Sequence, residues 1–383
     1  MTIQQALNDA IESGAIAGAS AFIGNRDGMT SSAVAGLRDT STDAPMTEDT
    51  IFQIASMTKA ITSVAAMQLV ERGMLSLDAP LGAILPELDN PQVIDGFDDS
   101  GAVILRPAKS PITARHLLTH TSGFGYEFVS ETMVRARGPA GSPPLGTKAA
   151  LVSPLLFDPG TQWEYGISTD WLGLVVEALS GKGLGDWFAQ EICGPLRMKD
   201  TGFAVTDSMA TRRAALQATG EDGIRFPLPI EIGGGPEAEV LSGGGGLYSS
   251  GPDYMRFLRM ILNKGTLDGV TILKPESVAD MSRNQIGTLR AGALGSINMM
   301  LALPGDSMPD QHTGWGLGFL INPETGPNGR AAGSLAWAGL ANTYYWIDPK
   351  NDVAGLVMMQ FLPFADPAAL NLYGAIERSV YGL

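Results

Sequence analysis

Ser56-Met57-Thr58-Lys59 leads straight into an apolar run, Ala60-Ile61-Thr62-Ser63-Val64-Ala65-Ala66-Met67, and nowhere else in the 383 residues does a Ser stand three positions before a Lys. A helix repeats about every 3.6 residues, so positions three apart share a face, and the Ser56 hydroxyl and Lys59 amine fall within hydrogen-bond reach. A free Ser hydroxyl is scarcely ionised at neutral pH, and a neighbouring Lys deprived of water supplies the proton acceptor an attacking Ser needs. The same four residues also fit a helix cap with a solvated lysine. At average residue frequencies a chain of this length holds on the order of one or two such matches by chance. Supporting residues elsewhere have to decide between the two.

Composition narrows the classes. With 44% hydrophobic, 17% charged and 7% aromatic residues, the chain can bury a large core. Its 25 Lys and Arg against 40 Asp and Glu give a net charge of −15, which repels a phosphate backbone and argues against nucleic acid as partner. The single cysteine, Cys193, has no basic neighbour to activate it and reads as a structural thiol. Met1 to Ser13 reads as an amphipathic helix and not as a secretory signal, and no run of about 18 uncharged apolar residues offers a membrane span. A cytoplasmic location is the expectation, with a small molecule as partner and no membrane; oligomeric state is not readable.

Working outward along the chain, Ala17 to Gly24 and Thr30 to Leu37 flank a turn at Asn25 to Gly28 and predict a hairpin. Tyr344 to Ile347 and Val353 to Phe361 flank Asp348-Pro349-Lys350-Asn351-Asp352 and predict a second, followed by a closing helix from Pro367 to Tyr381. Hairpins at both ends suggest that the termini share one antiparallel sheet with a helix packed on it. Between them the pattern is mostly helical: Ser56 to Arg72, Thr113 to Thr119, Thr169 to Leu179, Leu184 to Ile192 and Pro252 to Asn263. The expectation is one catalytic unit in two lobes, an α/β lobe of roughly 1–55 and 245–383 and a mainly helical lobe of roughly 56–244. Gly138 to Gly146 reads as a lid, a specificity loop or a surface connection. Gly233 to Gly251 lacks the Gly-Lys-Ser/Thr ending of a phosphate cradle and reads as backbone approaching a helix or a substrate.

A proton handled by Ser56 must later reach a leaving group, so a second acid-base group is required. Tyr165 is the candidate, set in the Pro/Gly-led loop Asp158-Pro159-Gly160-Thr161-Gln162-Trp163-Glu164-Tyr165-Gly166-Ile167. Beside a lysine ammonium a phenol can be held partly as phenolate and act as a base. His116 and His120 stand four apart, a metal-ligand spacing, but with no Glu at the second position and no third ligand they read as a structural helix pair. No metal and no cofactor are expected. His312, before Trp315-Gly316-Leu317-Gly318-Phe319, is placed at the pocket rim.

Ser56-Met57-Thr58-Lys59 after Ile51 to Ala55, His116-Leu117-Leu118-Thr119-His120-Thr121-Ser122-Gly123, the Tyr165 loop, Leu241 to Gly251, His312 to Phe319 and Trp337-Ala338-Gly339 occur in one order. In that order the chain resembles the serine β-lactamase-like proteins along nearly its whole length, and most closely the family VIII carboxylesterases. The resemblance implies an α/β fold of the α+β type, the β-lactamase/DD-peptidase architecture: an antiparallel sheet flanked by N- and C-terminal helices plus a mainly helical lobe. It implies Ser56 as acyl-accepting nucleophile, Lys59 as its base partner and Tyr165 as proton relay. It also implies an oxyanion hole from the backbone N–H groups of Ser56 and Leu340.

The departures from that pattern shape the expected substrate. Class C β-lactamases carry Tyr-x-Asn where this chain has Ile167, and Lys-Thr-Gly where it has Trp337-Ala338-Gly339. A cation for a substrate carboxylate is thereby replaced by an aromatic wall, which favours uncharged esters. No Gly-x-Ser-x-Gly elbow occurs, which argues against an α/β-hydrolase. The expected function is a serine carboxylesterase acting on uncharged, short-chain esters, with Trp337, Ala338, Gly339, Ile167 and His312 lining the pocket. Acyl transfer to an alcohol, β-lactamase or D-aminopeptidase activity, and a non-enzymatic penicillin-binding-type sensor are the alternatives.

Overall fold

A computed structural model describes residues 1–138, 141–219, 225–235, 237–306 and 308–383. Residues 139–140 of the Gly138 to Gly146 stretch and residue 236 of the Gly233 to Gly251 stretch therefore lie outside the described residues.

Both ends of the chain build one eight-stranded antiparallel sheet. Its strands are β1 (Gly18–Gly24), β2 (Met29–Asp39), β3 (Ala44–Pro45), β4 (Gly314–Trp315), β5 (Leu320–Ile321), β6 (Leu335–Gly339), β7 (Thr343–Asp348) and β8 (Val353–Met358). They run in the order β4-β5-β6-β7-β8-β1-β2-β3, so the first and last hairpins meet at the β8–β1 pair, where Phe22 faces Leu356. Alternation along β7 decides which core each side chain joins. Tyr344 and Trp346 point to one face with Ala19, Ala21 and Ile23, while Tyr345 and Ile347 point to the other with Phe22 and Leu356. The central strands are thus apolar on both sides because both sides are covered.

On the first face lie the terminal helices, α1 (Ile3–Glu12) and α6 (Pro367–Val380), which touch each other and bury Leu7, Leu372 and Ile376. On the second face lies α5 (Gly251–Leu262), whose first residue packs so closely on Phe22 that a side chain at Gly251 would collide with the ring. Beyond it the largest core holds α2 (Thr58–Glu71), α3 (Ala114–Leu118) and α4 (Ser168–Ser180). Helix α2 has no exposed polar face and is buried from Thr58 to Leu69, as in a helix enclosed by others. Its exit runs through Gly73 at φ 70°, and α4 ends on Gly181 in the left-handed conformation.

Two expectations change in detail. The strand expected from Val353 to Phe361 is split: β8 stops at Met358, and Phe361–Leu362 pairs in parallel with Gln217–Ala218 in a separate three-stranded sheet. At the break the Gln360 amide oxygen accepts from the Gln53 N–H at 2.7 Å, drawing the chain out of the main sheet. Leu184 to Ile192 is helical only to Phe188 and continues as a wider π turn to Cys193. That cysteine is buried, and burial with nearby Asp253 pushes its thiol up to about 12, so it packs as a small apolar group. Among the described residues no helix is long and apolar enough to cross a membrane.

Candidate active site

Ser56 sits where a short strand, Ile51–Gln53, turns sharply into α2. The turn passes through Ala55 at φ 44°, a conformation costly for a residue with a Cβ, and a 3₁₀ turn over Ala55–Met57 hands the chain to the helix. The strand is held by antiparallel pairing with Tyr248–Ser250, so the turn has little freedom to relax.

Lys59 follows one turn on, and its side chain is buried, only 1% of the residue being exposed. Its Nζ donates to Ser56 Oγ at 3.2 Å, to Tyr126 Oη at 3.0 Å and to the Gly244 carbonyl at 2.7 Å. The three ammonium protons therefore each meet an acceptor. Burial works against the charge, but the Tyr126 and Tyr165 oxygens and the Asp170 carboxylate outweigh it, holding Lys59 above its ordinary range. Burial likewise pushes the Tyr126 phenol upward, with Lys59 opposing it. The resting pair is thus an ammonium beside a neutral phenol.

Tyr165 enters from its loop with its ring under Lys59, the Nζ standing 4.7 Å from the ring centroid, while its Oη accepts from the Trp337 indole N–H at 3.2 Å. The phenol hydroxyl bonded to Lys59 is that of Tyr126, which the sequence reading did not single out. Tyr126 lies in Gly123-Phe124-Gly125-Tyr126, a glycine-spaced loop directly after the His116 to Gly123 run; loop aromatics between glycines were the only signal. Asp170 was missed as well. It accepts from the Ser242 hydroxyl at 2.6 Å and from the Gly244 N–H at 3.0 Å.

The Gly243 to Gly246 stretch does approach a helix. Thr62 donates to the Gly243 carbonyl at 2.6 Å, and Gly244 turns its carbonyl, not its N–H, toward Lys59, the reverse of a phosphate cradle. Strand β6 closes the opposite side: a side chain at Gly339 would collide with the Ile54 carbonyl, so the strand end and Leu340 lie against the turn that carries Ser56. Ser56, Tyr126, Tyr165, Ile167, Trp337 and Leu340 all line one cavity of about 690 Å³, as do Ala338 and Gly339.

The histidines need correcting. His312 is not at the pocket: it is exposed, outside the cavity lining, and hydrogen-bonded through Nε2 to the Thr288 carbonyl at 2.9 Å. His116 shares a capping box with Thr113 at the start of α3. His120 has left the helix, at φ 55°, and its buried ring lies 5.0 Å from that of Tyr165 and 5.2 Å from that of Trp315. Burial, with the Lys59 charge, holds His120 neutral, well below its ordinary value. Among the described residues no group of three or more His, Cys, Asp or Glu is arranged to hold a metal ion.

A family model described as Beta-lactamase matches residues 3–377. The chain is 33% identical over 350 residues to monacolin J acid methylbutanoyltransferase of Aspergillus terreus, covering 88% of this chain and 83% of that protein. It is 32% identical over 351 residues to lovastatin esterase of Penicillium rubens, covering 88% and 86%. Unliganded simvastatin synthase of Aspergillus terreus superposes with a TM-score of 0.86 at 30% identity, over 99% of this chain and 97% of that one. A sheet flanked by terminal helices, a Ser-x-x-Lys at the head of a buried helix and a match over nearly all residues agree: this chain belongs to the beta-lactamase family, within its group of serine hydrolases and acyltransferases.

Proposed function

We propose that the protein transfers acyl groups from uncharged carboxylic esters through a covalent acyl-Ser56 intermediate. The observation that carries this reading is the Lys59 Nζ shared between Ser56 Oγ and Tyr126 Oη at the wall of an apolar cavity. In the resting state Lys59 is an ammonium and takes no proton, so the reactive form has one proton fewer among Lys59, Tyr126 and Tyr165. That group accepts the Ser56 proton as Oγ bonds to the ester carbonyl carbon. The oxyanion that forms is met by the Ser56 and Leu340 N–H groups. Collapse breaks the bond to the alcohol oxygen, which leaves with the proton, Tyr165 and Tyr126 being placed to deliver it. A second acceptor then loses its proton to the same group and attacks the acyl carbon, the bond to Ser56 Oγ breaks, and that proton passes to Oγ to restore the serine.

Two acceptors fit. Water gives a carboxylesterase. An alcohol gives an acyltransferase, and relatives named as methylbutanoyltransferase and as lovastatin esterase support both. Around Ser56 the cavity is walled by apolar groups of Ile167, Trp337 and Leu340, which suits an uncharged ester. Trp337 in the place of a lysine offers no cation to a β-lactam carboxylate, so nitrocefin turnover is expected to be slow beside ester turnover.

Hydrolysis of p-nitrophenyl butyrate by the wild type and by Ser56→Ala tests the nucleophile. Loss of at least about 10³-fold is expected, and normal turnover by the variant would sink the assignment. Repeating the wild-type reaction with a competing alcohol and separating acid from new ester identifies the acceptor.

A further inference from the structure

Asp170 stands in the first turn of α4 with 5% of its surface exposed, and a buried carboxylate needs a reason to stay there. Its Oδ1 takes two hydrogen bonds, from the Ser242 hydroxyl at 2.6 Å and from the Gly244 N–H at 3.0 Å. Gly244 offers its carbonyl to Lys59 Nζ at 2.7 Å on the other side of the same Cα. The fit leaves no slack, because a side chain at Gly244 would collide with the Asp170 carboxylate. Behind it, Gly243 is fixed by the bond from Thr62, so the glycine stretch is clamped between α2 and α4.

We propose that Asp170 is a positioning residue: by bracing Ser242 and Gly244 it holds the Gly244 carbonyl on one corner of Lys59, leaving the other two corners for Ser56 and Tyr126. The proposal rests on the acyl-transfer reading above and adds a part to it. Without the brace the glycine stretch is free to turn its carbonyl away, and Lys59, on a flexible four-carbon stem, loses the contact that fixes its direction. The carboxylate also acts on Lys59 through its negative charge, among the described residues beside the phenols of Tyr126 and Tyr165, while neutral His120 packs against Tyr165. Its charge therefore opposes proton loss from Lys59, and removing it should let the reactive form appear at lower pH.

Four full-length proteins test this with p-nitrophenyl butyrate: wild type, Asp170→Asn, Asp170→Ala and Ser242→Ala. Asp170→Asn keeps an acceptor oxygen and drops the charge. Its kcat should stay within about tenfold of wild type, and the rising limb of its pH profile should move to lower pH by about half a unit or more. Asp170→Ala loses brace and charge, so the same shift should come with a fall in kcat of about 10²-fold and a smaller change in KM. Ser242→Ala, which removes one brace and no charge, should lower kcat less and leave the limb in place. An unshifted limb in Asp170→Asn overturns the proposal, whether kcat is retained or falls with folding stability, as does wild-type kcat in Asp170→Ala. Mass labelling of Ser56 by a fluorophosphonate keeps the two failures apart. If wild type takes no label at Ser56, the acyl-transfer reading falls; if it does and the Asp170 variants behave as wild type, only the positioning role falls.

Discussion

At the scale of single residues, Trp337 does more than wall the cavity. Trp337 packs edge-on to Trp315, with ring centroids 4.6 Å apart, and sends its indole N–H to Tyr165 Oη. An N–H donor stabilises a phenol oxygen most when that oxygen carries negative charge, which is when Tyr165 passes its proton. Replacing Trp337 with Phe preserves an apolar wall and removes the donor. A fall in kcat of about tenfold or more on p-nitrophenyl butyrate is expected, with KM nearly unchanged. Turnover within twofold of wild type would reduce Trp337 to a wall. The position of this residue was legible in the sequence, but its partner was not, because Tyr165 and Trp337 are 172 residues apart and only the folded sheet brings them together. Ser56 and Lys59 were legible because one helical turn fixes their spacing regardless of the fold. Tyr126 reaches Lys59 across 67 residues from a loop with no periodicity, and so left no trace beyond its glycines. His312 failed for the opposite reason: its nearness in sequence to Trp315 says nothing about which way a loop residue points.

Elements long enough to show a period were readable, and those held by tertiary contacts were not. The terminal hairpins join strands of six to eleven residues across recognisable turns, whereas Ile51–Gln53 and Tyr248–Ser250, which frame the Ser56 turn, are three residues each and too short to display a pattern. Helix α5 shows what anchors such framing elements. Its N-cap Ser250 accepts from the Asp253 N–H, while Asp253 Oδ2 accepts from the Asp200 N–H at 2.7 Å and from the Thr201 hydroxyl at 3.1 Å. Burial pushes the Asp253 carboxyl up to about 6, the nearby Asp200 carboxylate adding to it and the two hydrogen bonds resisting. A carboxyl with a folded value above its unfolded one holds its proton better when folded. Its contribution to stability is therefore complete below about pH 4 and lost as pH rises through about 6. Asp253→Asn keeps an acceptor and never ionises, so it should be more stable than wild type by about 2 kcal/mol at pH 7.5. Urea unfolding at pH 7.5 and pH 4 checks this. The advantage should vanish at the lower pH, and an equal offset at both would remove ionisation as its cause.

At the scale of the whole molecule, the end of the chain is tied to the sheet by a buried charge pair. Arg330, in the loop before β6, and Glu377, near the end of α6, stand 2.6 Å apart (Nε to Oε1) and are almost wholly buried. Asn328 donates to the other Glu377 oxygen at 2.8 Å, and Tyr381, just past the helix, donates to Asp348 of β7 at 3.0 Å while accepting from Trp346. The last helix is thereby joined to β7 and to the loop before β6, on a sheet whose opposite face helps enclose α5, and through it the core around α2. A buried pair of this kind contributes little net stability when intact, since desolvation offsets attraction, but breaking it strands a charge. Glu377→Gln keeps the Asn328 bond and leaves Arg330 without its closest counter-charge. Asp348 still acts on Arg330 from farther away, so the loss should fall at the lower end for such pairs, about 3 kcal/mol. Removing both charges with Arg330→Met and Glu377→Leu should recover most of that loss, because no buried charge then remains unpaired. Urea unfolding followed by tryptophan fluorescence measures both. A double variant no more stable than Glu377→Gln would mean that lost packing, and not the stranded guanidinium, sets the cost of opening this end of the molecule.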